Sequence, residues 1–504
     1  MTPAFLVLLV GATTFLEQDI AGLEVGPPNP RTGTVSGQFR RADLDGDGAV
    51  DLVLPQFVMF QRDHAFRRGN RVAIPYANER PWCDVWERQV ALQLGDRLVM
   101  LQWDAAAGDW AHALKQDIAW PVPEAVEEAG QLPAAAERGL RFRDFLHDMD
   151  GDGQPEIVAS SPRGIHVFAR EGDFYAERAC LPVLPPFRFS YTPQRLWPPA
   201  GRAVAFPSCV MGCRFFIEGA QVHTVASEYL GEGEVRFRVT SYRLDPANGY
   251  AVVGGEADVH ETAPMPDCVE PCRLNGDGII DYAGADGKTA ASSVLPVPVY
   301  RTVASTDGGA TYRAVRTQSF GPQCCFVDFD GDGDLDMVTE PTRLFDEGVR
   351  ESLTRLSARR SIEHEVEVWY QDETGAFSSA PDVRSRFLIR LDRPPIEDAP
   401  MLTRYKSGEL VDITGDFNGD GRRDAVIQDR PDRLALFLTT ESGFPRRPTA
   451  TLQIRDEWRF SVADIDGDGR SDIVVRWADP AGRALSPDGG GQRTRVFLVR
   501  DAGS

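Results

Sequence analysis

Six short acidic loops in one register constrain this 504-residue chain more than any other feature. DLDGDGAVD starts at Asp43, DMDGDGQPE at Asp148, DFDGDGDLD at Asp328, DFNGDGRRD at Asp416 and DIDGDGRSD at Asp464; a weaker copy, RLNGDGIID, starts at Arg273. Positions 1, 3 and 5 set carboxylate or amide oxygens on one side of a tight turn. Position 7 can offer its backbone carbonyl, and the acid at position 9 closes the shell. The resulting set of about six or seven hard oxygens suits calcium, whereas magnesium demands a stricter octahedron and keeps its waters. Glycines at positions 4 and 6 allow the positive φ that so sharp a turn needs.

The residues just after each loop separate the calcium-loop architectures. An EF-hand needs a Glu at position 12 and helices on both sides; dockerin-like loops also open helices. Here the closing acid stands at position 9 and leads into DLVL, DMVT, DAVI or DIVV, β-branched apolar runs that read as buried strands. Thrombospondin-like repeats would stand close together, whereas these loops are spread along the chain.

The shortest intervals, Arg273 to Asp328 and Asp416 to Asp464, are about fifty residues, a period expected of propellers. A degraded unit sits in one long interval: PSCVMGCRFFIEG from Pro207 shares C-V-x-x-C-R with PDCVEPCRLNGDG from Pro266, which aligns Arg214 with Arg273. Units therefore start near residues 43, 148, 214, 273, 328, 416 and 464. Each ends in a strand, a glycine turn and an aromatic, as in RLVMLQWDAAAGDW, GIHVFAREGDF and LALFLTTESGF, the pattern of a hairpin between outer strands. The last unit stops at RVFLVRD, and Phe15 to Val25 is expected to supply its missing strand and close the ring. The expectation is an all-β chain forming a single β-propeller over residues 13–504, with four antiparallel strands per blade and loops between the first two. The count predicts seven blades, with six and eight as alternatives. Residues 61–82, 118–139 and 342–363 read as polar insertions within blades.

These loops and hairpin ends resemble the FG-GAP/VCBS repeats, including those of the propeller at the head of integrin α chains. The resemblance implies calcium between the first two strands of each blade. Carried onto this sequence, the first site is Asp43, Asp45, Asp47 and Asp51 with the Ala49 carbonyl, and the second Asp148, Asp150, Asp152 and Glu156 with Gln154. Asp328, Asp330, Asp332 and Asp336 with Asp334 form another; Asp416, Asn418, Asp420 and Asp424 with Arg422 the next; Asp464, Asp466, Asp468 and Asp472 with Arg470 the last. The weak loop offers Asn275, Asp277 and Asp281 with Ile279, but Arg273 puts a cation at its first position. Five strong calcium sites and a weaker sixth are expected.

The net charge of −22 opposes nucleic acid as a partner. All but Lys115, Lys288 and Lys406 of the 54 basic residues are arginine, with no basic tract. The apolar run from Ala4 to Ala12, with Val10 and Ala12 placed for cleavage before Thr13, predicts a signal peptide over residues 1–12 and a secreted or periplasmic protein. It lacks a preceding Lys or Arg, and a first strand is the competing reading. No other segment approaches the ~20 apolar residues of a membrane span.

Eight cysteines suit disulfides in an exported chain, Cys209/Cys213 and Cys268/Cys272 being the candidate pairs, with a shared zinc site as the sharper alternative. No hydrolase elbow, H-E-x-x-H, phosphate loop or dinucleotide motif is present. The sequence is read first as a non-catalytic binding or adhesion module for glycan or extracellular protein. A polysaccharide lyase or hydrolase, hinted at by Arg67, Arg68 and Arg71, and a passive structural module are the alternatives. Trp82, Trp86 and Trp120 are the candidate sugar platforms.

Overall fold

The computed structural model describes residues 7–501 apart from 20–24, 29–34, 119–140, 183–213, 291–296, 319–323, 341–353, 392–403, 479–491 and shorter breaks between them. Among the described residues, eight sheets of four or more strands succeed one another along the chain, antiparallel throughout but for Arg141–Phe142, which lies parallel to Trp82–Trp86. Blade 1 is Arg40–Ala42, Asp51–Val53, Phe57–Arg62 and Ala65–Ala73; blade 2 is Trp82–Trp86, Gln89–Leu94, Arg97–Asp104 and Asp109–Asp117. Blade 3 is Leu146–His147, Glu156–Ser161, Gly164–Glu171 and Phe174–Leu181. Blade 4 has Arg214–Glu218, Gln221–Gly231 and Glu234–Asp245, with Asp258–Glu261 and Met265–Pro266 sharing its outer edge. Blade 5 is Val269–Cys272, Asp281–Ala290, Val297–Ser305 and Arg313–Gln318; blade 6 is Cys324–Val327, Asp336–Thr339, Ser361–Trp369 and Val383–Arg390. Blade 7 is Val411–Gly415, Asp424–Arg430, Arg433–Phe437 and Ala450–Gln453. Blade 8 takes Arg459–Ala463, Asp472–Ala478 and Gln492–Asp501 from the end of the chain and Thr13–Asp19 from its beginning.

The core explains why the second strands read as unbroken apolar runs. Neighbouring side chains on a strand point to opposite faces, and every blade is covered on both. Leu52 packs toward blade 8 with Ile465 and Val474, while Val53 packs toward blade 2 with Val90 and Leu92. Ile427 joins Val338 and Val366 of blade 6, and Val426 joins Ile473 and Phe497 of blade 8. Such a cluster fills each of the eight boundaries between consecutive blades, including the one from blade 8 back to blade 1, so the ring is closed. Burying each such side chain contributes about 1.5–3 kcal/mol.

Seven of the sheets begin at or beside the seven expected starts. The eighth is blade 2, which falls inside the first long interval and carries no acidic loop: its first two strands join through a turn at Glu87, whose φ is 48°. This corrects the reading of residues 61–82 as an insertion. They complete the third strand of blade 1, form all of its fourth and lead into blade 2. Of residues 342–363, Ser361 to Glu363 open the third strand of blade 6 rather than belonging to an insertion. Most of the rest of that stretch, and all of 118–139 but Ile118, lie outside the described residues, as do Cys209, Cys213 and Cys268.

The missing last strand comes from the N-terminus, but from Thr13–Asp19 rather than Phe15 to Val25, since Val25 opens a separate strand paired with Val35–Gly37. Thr13–Asp19 pairs antiparallel with the final strand, from Thr13 opposite Asp501 to Asp19 opposite Arg495. Val7–Val10, inside the apolar leader-like run, adds a fifth strand outside it. Cleavage before Thr13 would remove only that outermost strand and leave a four-stranded blade. Among the described residues no helix is long and apolar enough to cross a membrane.

Candidate metal centres

Each acidic loop joins the first and second strands of its blade, so all six lie at one end of the ring. Strand alternation brings the hairpins between third and fourth strands to the same end.

Local chemistry folds the loops alike. In blade 1 the Asp43 carboxylate accepts the N–H groups of Gly46 (2.7 Å) and Gly48 (3.0 Å), Asp45 accepts that of Asp47 (3.2 Å), and Asp47 that of Ala49 (2.9 Å). The pattern recurs at Asp148, Asp150 and Asp152 and at Asp416, Asn418 and Asp420. Asp328, Asp330 and Asp332, and Asp464, Asp466 and Asp468, repeat it in part. Positions 3 and 5 thus each use one side-chain oxygen and position 1 of three loops uses both, which turns the chain so that positions 1, 3 and 5 converge. The ten glycines at positions 4 and 6 of these five loops have φ between +73° and +99°, where other residues are strained.

Position 9 does more than close a ligand shell. Asp51 is fully buried; one oxygen accepts the Leu44 N–H (2.9 Å), and the other accepts the Gln61 N–H from the third strand (2.9 Å). Asp336 bridges Phe329 and Gln371, Asp424 bridges Phe417 and Thr439, and Asp472 bridges Ile465 and Val499 in the same way. Glu156 and Asp281 make the first of these bonds, to Met149 and Leu274. The acid thus pins the loop to the blade. Position 2, whose N–H it holds, is always a buried apolar residue: Leu44, Met149, Leu274, Phe329, Phe417 or Ile465. That signal stands in the sequence, where only the acids and glycines were read.

The loops also touch one another. The Leu335 N–H donates to the Leu274 carbonyl of the preceding blade (2.7 Å), that of Arg423 to Phe329 (2.9 Å) and that of Ser471 to Asp416 (2.6 Å). Arg41 continues the arc into blade 1 by donating from Nη1 to the Asp464 carbonyl (2.5 Å). In blade 3, the Trp86 indole N–H reaches the Gly153 carbonyl from blade 2 (3.3 Å), which gives this candidate sugar platform a structural partner.

The donor sets of four loops draw together tightly. Oxygens from Asp43, Asp45 and Asp51 lie within 4.8 Å of one another, as do those of Asp148, Asp150 and Glu156, of Asp328, Asp330 and Asp332, and of Asp464, Asp466 and Asp472. Burial and neighbouring carboxylates push Asp336 up to about 8, and burial, partly offset by backbone hydrogen bonds, brings Asp51 and Asp424 to about 7. Asp472 is likewise raised by burial and by Asp466. Buried hard oxygens that oppose one another's ionisation fit a divalent cation such as calcium, which would be held by positions 1, 3, 5 and 9 and the position 7 carbonyl. In blade 1 a cation of the chain itself reaches the loop: Arg62 contacts Asp45 and, at 2.7 Å, Asp47. Arg470 pairs similarly with Asp468 in blade 8 (2.8 Å). Arg273 and Asp277 of the weak loop lie outside the described residues, and the Ile279 side chain is exposed. Of the arginines considered for an acidic substrate, Arg71 stacks over Phe57 at 4.6 Å and Arg67 pairs with Asp63 at 3.5 Å.

Residues 416–475, which hold two of the loops, match the model of the FG-GAP-like repeat. No curated protein matches the chain. The WD40 domain of SCAP from fission yeast aligns at 10% identity and a TM-score of 0.27, over 64% of this chain and 90% of that one. Saccharomyces cerevisiae Sqt1 aligns at 10% identity and a TM-score of 0.24, over 84% and 97%. These two likenesses are too slight to bear on function. The chain is thus a β-propeller that carries an FG-GAP-like repeat over residues 416–475, with a loop of the same pattern in the same place in other blades.

Proposed function

We propose that the protein is an exported, calcium-loaded binding propeller, whose ions are structural and whose ligand is a glycan or an extracellular protein. The carrying observation is the arc of linked loops: buried carboxylates at one end of consecutive blades, joined from loop to loop by backbone hydrogen bonds. Calcium there neutralises crowded acids and fixes the end of the ring that also presents the outer hairpins. With calcium at ten times its dissociation constant, each site adds ~1.4 kcal/mol, so five sites add ~7 kcal/mol, comparable with the whole stability of a domain. The N-terminal apolar run supports export, since cutting it away leaves the closing strand in place.

A panel of polysaccharides and extracellular-matrix proteins, incubated with the purified protein in calcium and assayed for retention and for product, tests the function. Retention without turnover supports the binding reading. Product release would replace it with a carbohydrate-active enzyme, and silence on both counts would leave a structural module.

A further inference from the structure

Outside the acidic loops, one constellation of nucleophile, base and carboxylate stands on the outer strands of blade 3. His166 and Cys180 are directly opposed on the third and fourth strands. The His166 ring is fully buried, with Nδ1 3.1 Å from Glu177 Oε1 and Nε2 3.9 Å from Cys180 Sγ. Glu177 and Cys180 are three residues apart, a spacing that puts side chains on opposite faces of a regular strand. Here the register slips between Val167 and Phe168, so that Ala179 opposes Val167 and Glu177 opposes Phe168, with Arg178 as the extra residue. This bulge turns Glu177 onto the face of Cys180, the kind of re-aiming bulges perform beside functional sites. A carboxylate only accepts hydrogen bonds, so Nδ1 carries the proton and Nε2 faces the sulfur as an acceptor. Cys180 itself is exposed.

We propose that Cys180, His166 and Glu177 form an activated-thiol site that undergoes exchange with disulfides. The Cys180 proton passes to His166 Nε2 as Sγ attacks one sulfur of the incoming disulfide. An Sγ–S bond forms, the S–S bond of the reactant breaks, and the departing thiolate takes the proton from His166. The products are a mixed disulfide on Cys180 and one free thiol. Glu177 is a positioning residue: it fixes the ring and balances the positive charge that the imidazole gains in the step. The site is independent of calcium and of the ligand-binding reading.

The test uses the full chain, with oxidised glutathione and iodoacetamide as probes and peptide mapping by mass spectrometry as readout. Cys180 is expected to react at pH 7 at least about tenfold faster than an unactivated cysteine in a peptide of the same local sequence. His166→Gln should slow it on the order of 100-fold, the low end of what a positioned base contributes. Because His166 is buried and its replacement can unfold the blade, Glu177→Ala and Glu177→Asp provide a second arm: Ala should slow the reaction and Asp should restore most of the rate. Absence of any adduct at Cys180, a rate equal to that of the peptide, or a rate unmoved in both Glu177→Ala and His166→Gln would overturn the proposal.

Discussion

The carboxylate at position 9 has two tasks that substitution can separate. Asp424 pins Phe417 and Thr439 through backbone N–H groups whether or not a cation is present. Asp420, at position 5 of the same loop, is exposed and accepts only the local Arg422 N–H from the backbone. Asp424→Asn turns an amide donor toward a backbone donor, and is expected to destabilise the protein by about 1–3 kcal/mol in chelator and by more in calcium, where a ligand charge is lost as well. Asp420→Asn should leave the chelated protein nearly unchanged and reduce only the calcium-dependent increment. Thermal denaturation of both variants in excess calcium and in EGTA distinguishes the two roles. Gly331 offers a further check, since its φ is +85° and a Cβ there would lie 3.0 Å from the Gly421 carbonyl oxygen of the next loop. Gly331→Ala is expected to cost on the order of 1–2 kcal/mol and to weaken calcium uptake in blades 6 and 7 together.

At the level of the loop, burial of the closing acids, with their crowding second, sets a pH dependence whose sign is definite. Asp51 and Asp424 are raised to about 7 and Asp336 to about 8, against an ordinary value of 3.8. A carboxyl whose folded value exceeds its unfolded one binds its proton more tightly when folded, so its contribution is complete below about pH 4 and is lost as pH rises through 7–8. In EGTA the protein should therefore lose stability between pH 5 and pH 8. In calcium the loss should be suppressed, because the ion replaces the protons, and the gap between the two curves should widen with pH. Melting curves at several pH values in each condition measure this directly. The loops were legible in the sequence because each ligand position demands a particular side chain and each tight turn demands glycine. The buried apolar position 2 and the contacts between neighbouring loops were not, since an apolar residue among acids looks like filler and a backbone hydrogen bond carries no residue signature.

At the scale of the whole ring, closure rests on Thr13–Asp19 beside the last strand of the chain. Deleting residues 1–12 is expected to leave melting temperature and monodispersity unchanged. Deleting residues 1–19 strips blade 8 of its fourth strand, exposes an edge, and should lower the melting temperature and promote aggregation; calorimetry and size-exclusion chromatography would show both. This closure was visible because RVFLVRD lacked a strand after it. Blade 2 was not, because its first turn is a short hairpin at Glu87 rather than an acidic loop. Its strands, carrying Val90, Leu92, Leu98 and Val99, mark it only by burial on two faces. Whether this end of the ring is built around calcium is decided most directly by titrating calcium into the chelator-stripped protein calorimetrically. Uptake of about five ions per chain and a marked rise in melting temperature are expected. Absence of uptake, with superimposable melting curves in calcium and in EGTA, would contradict a calcium-built ring.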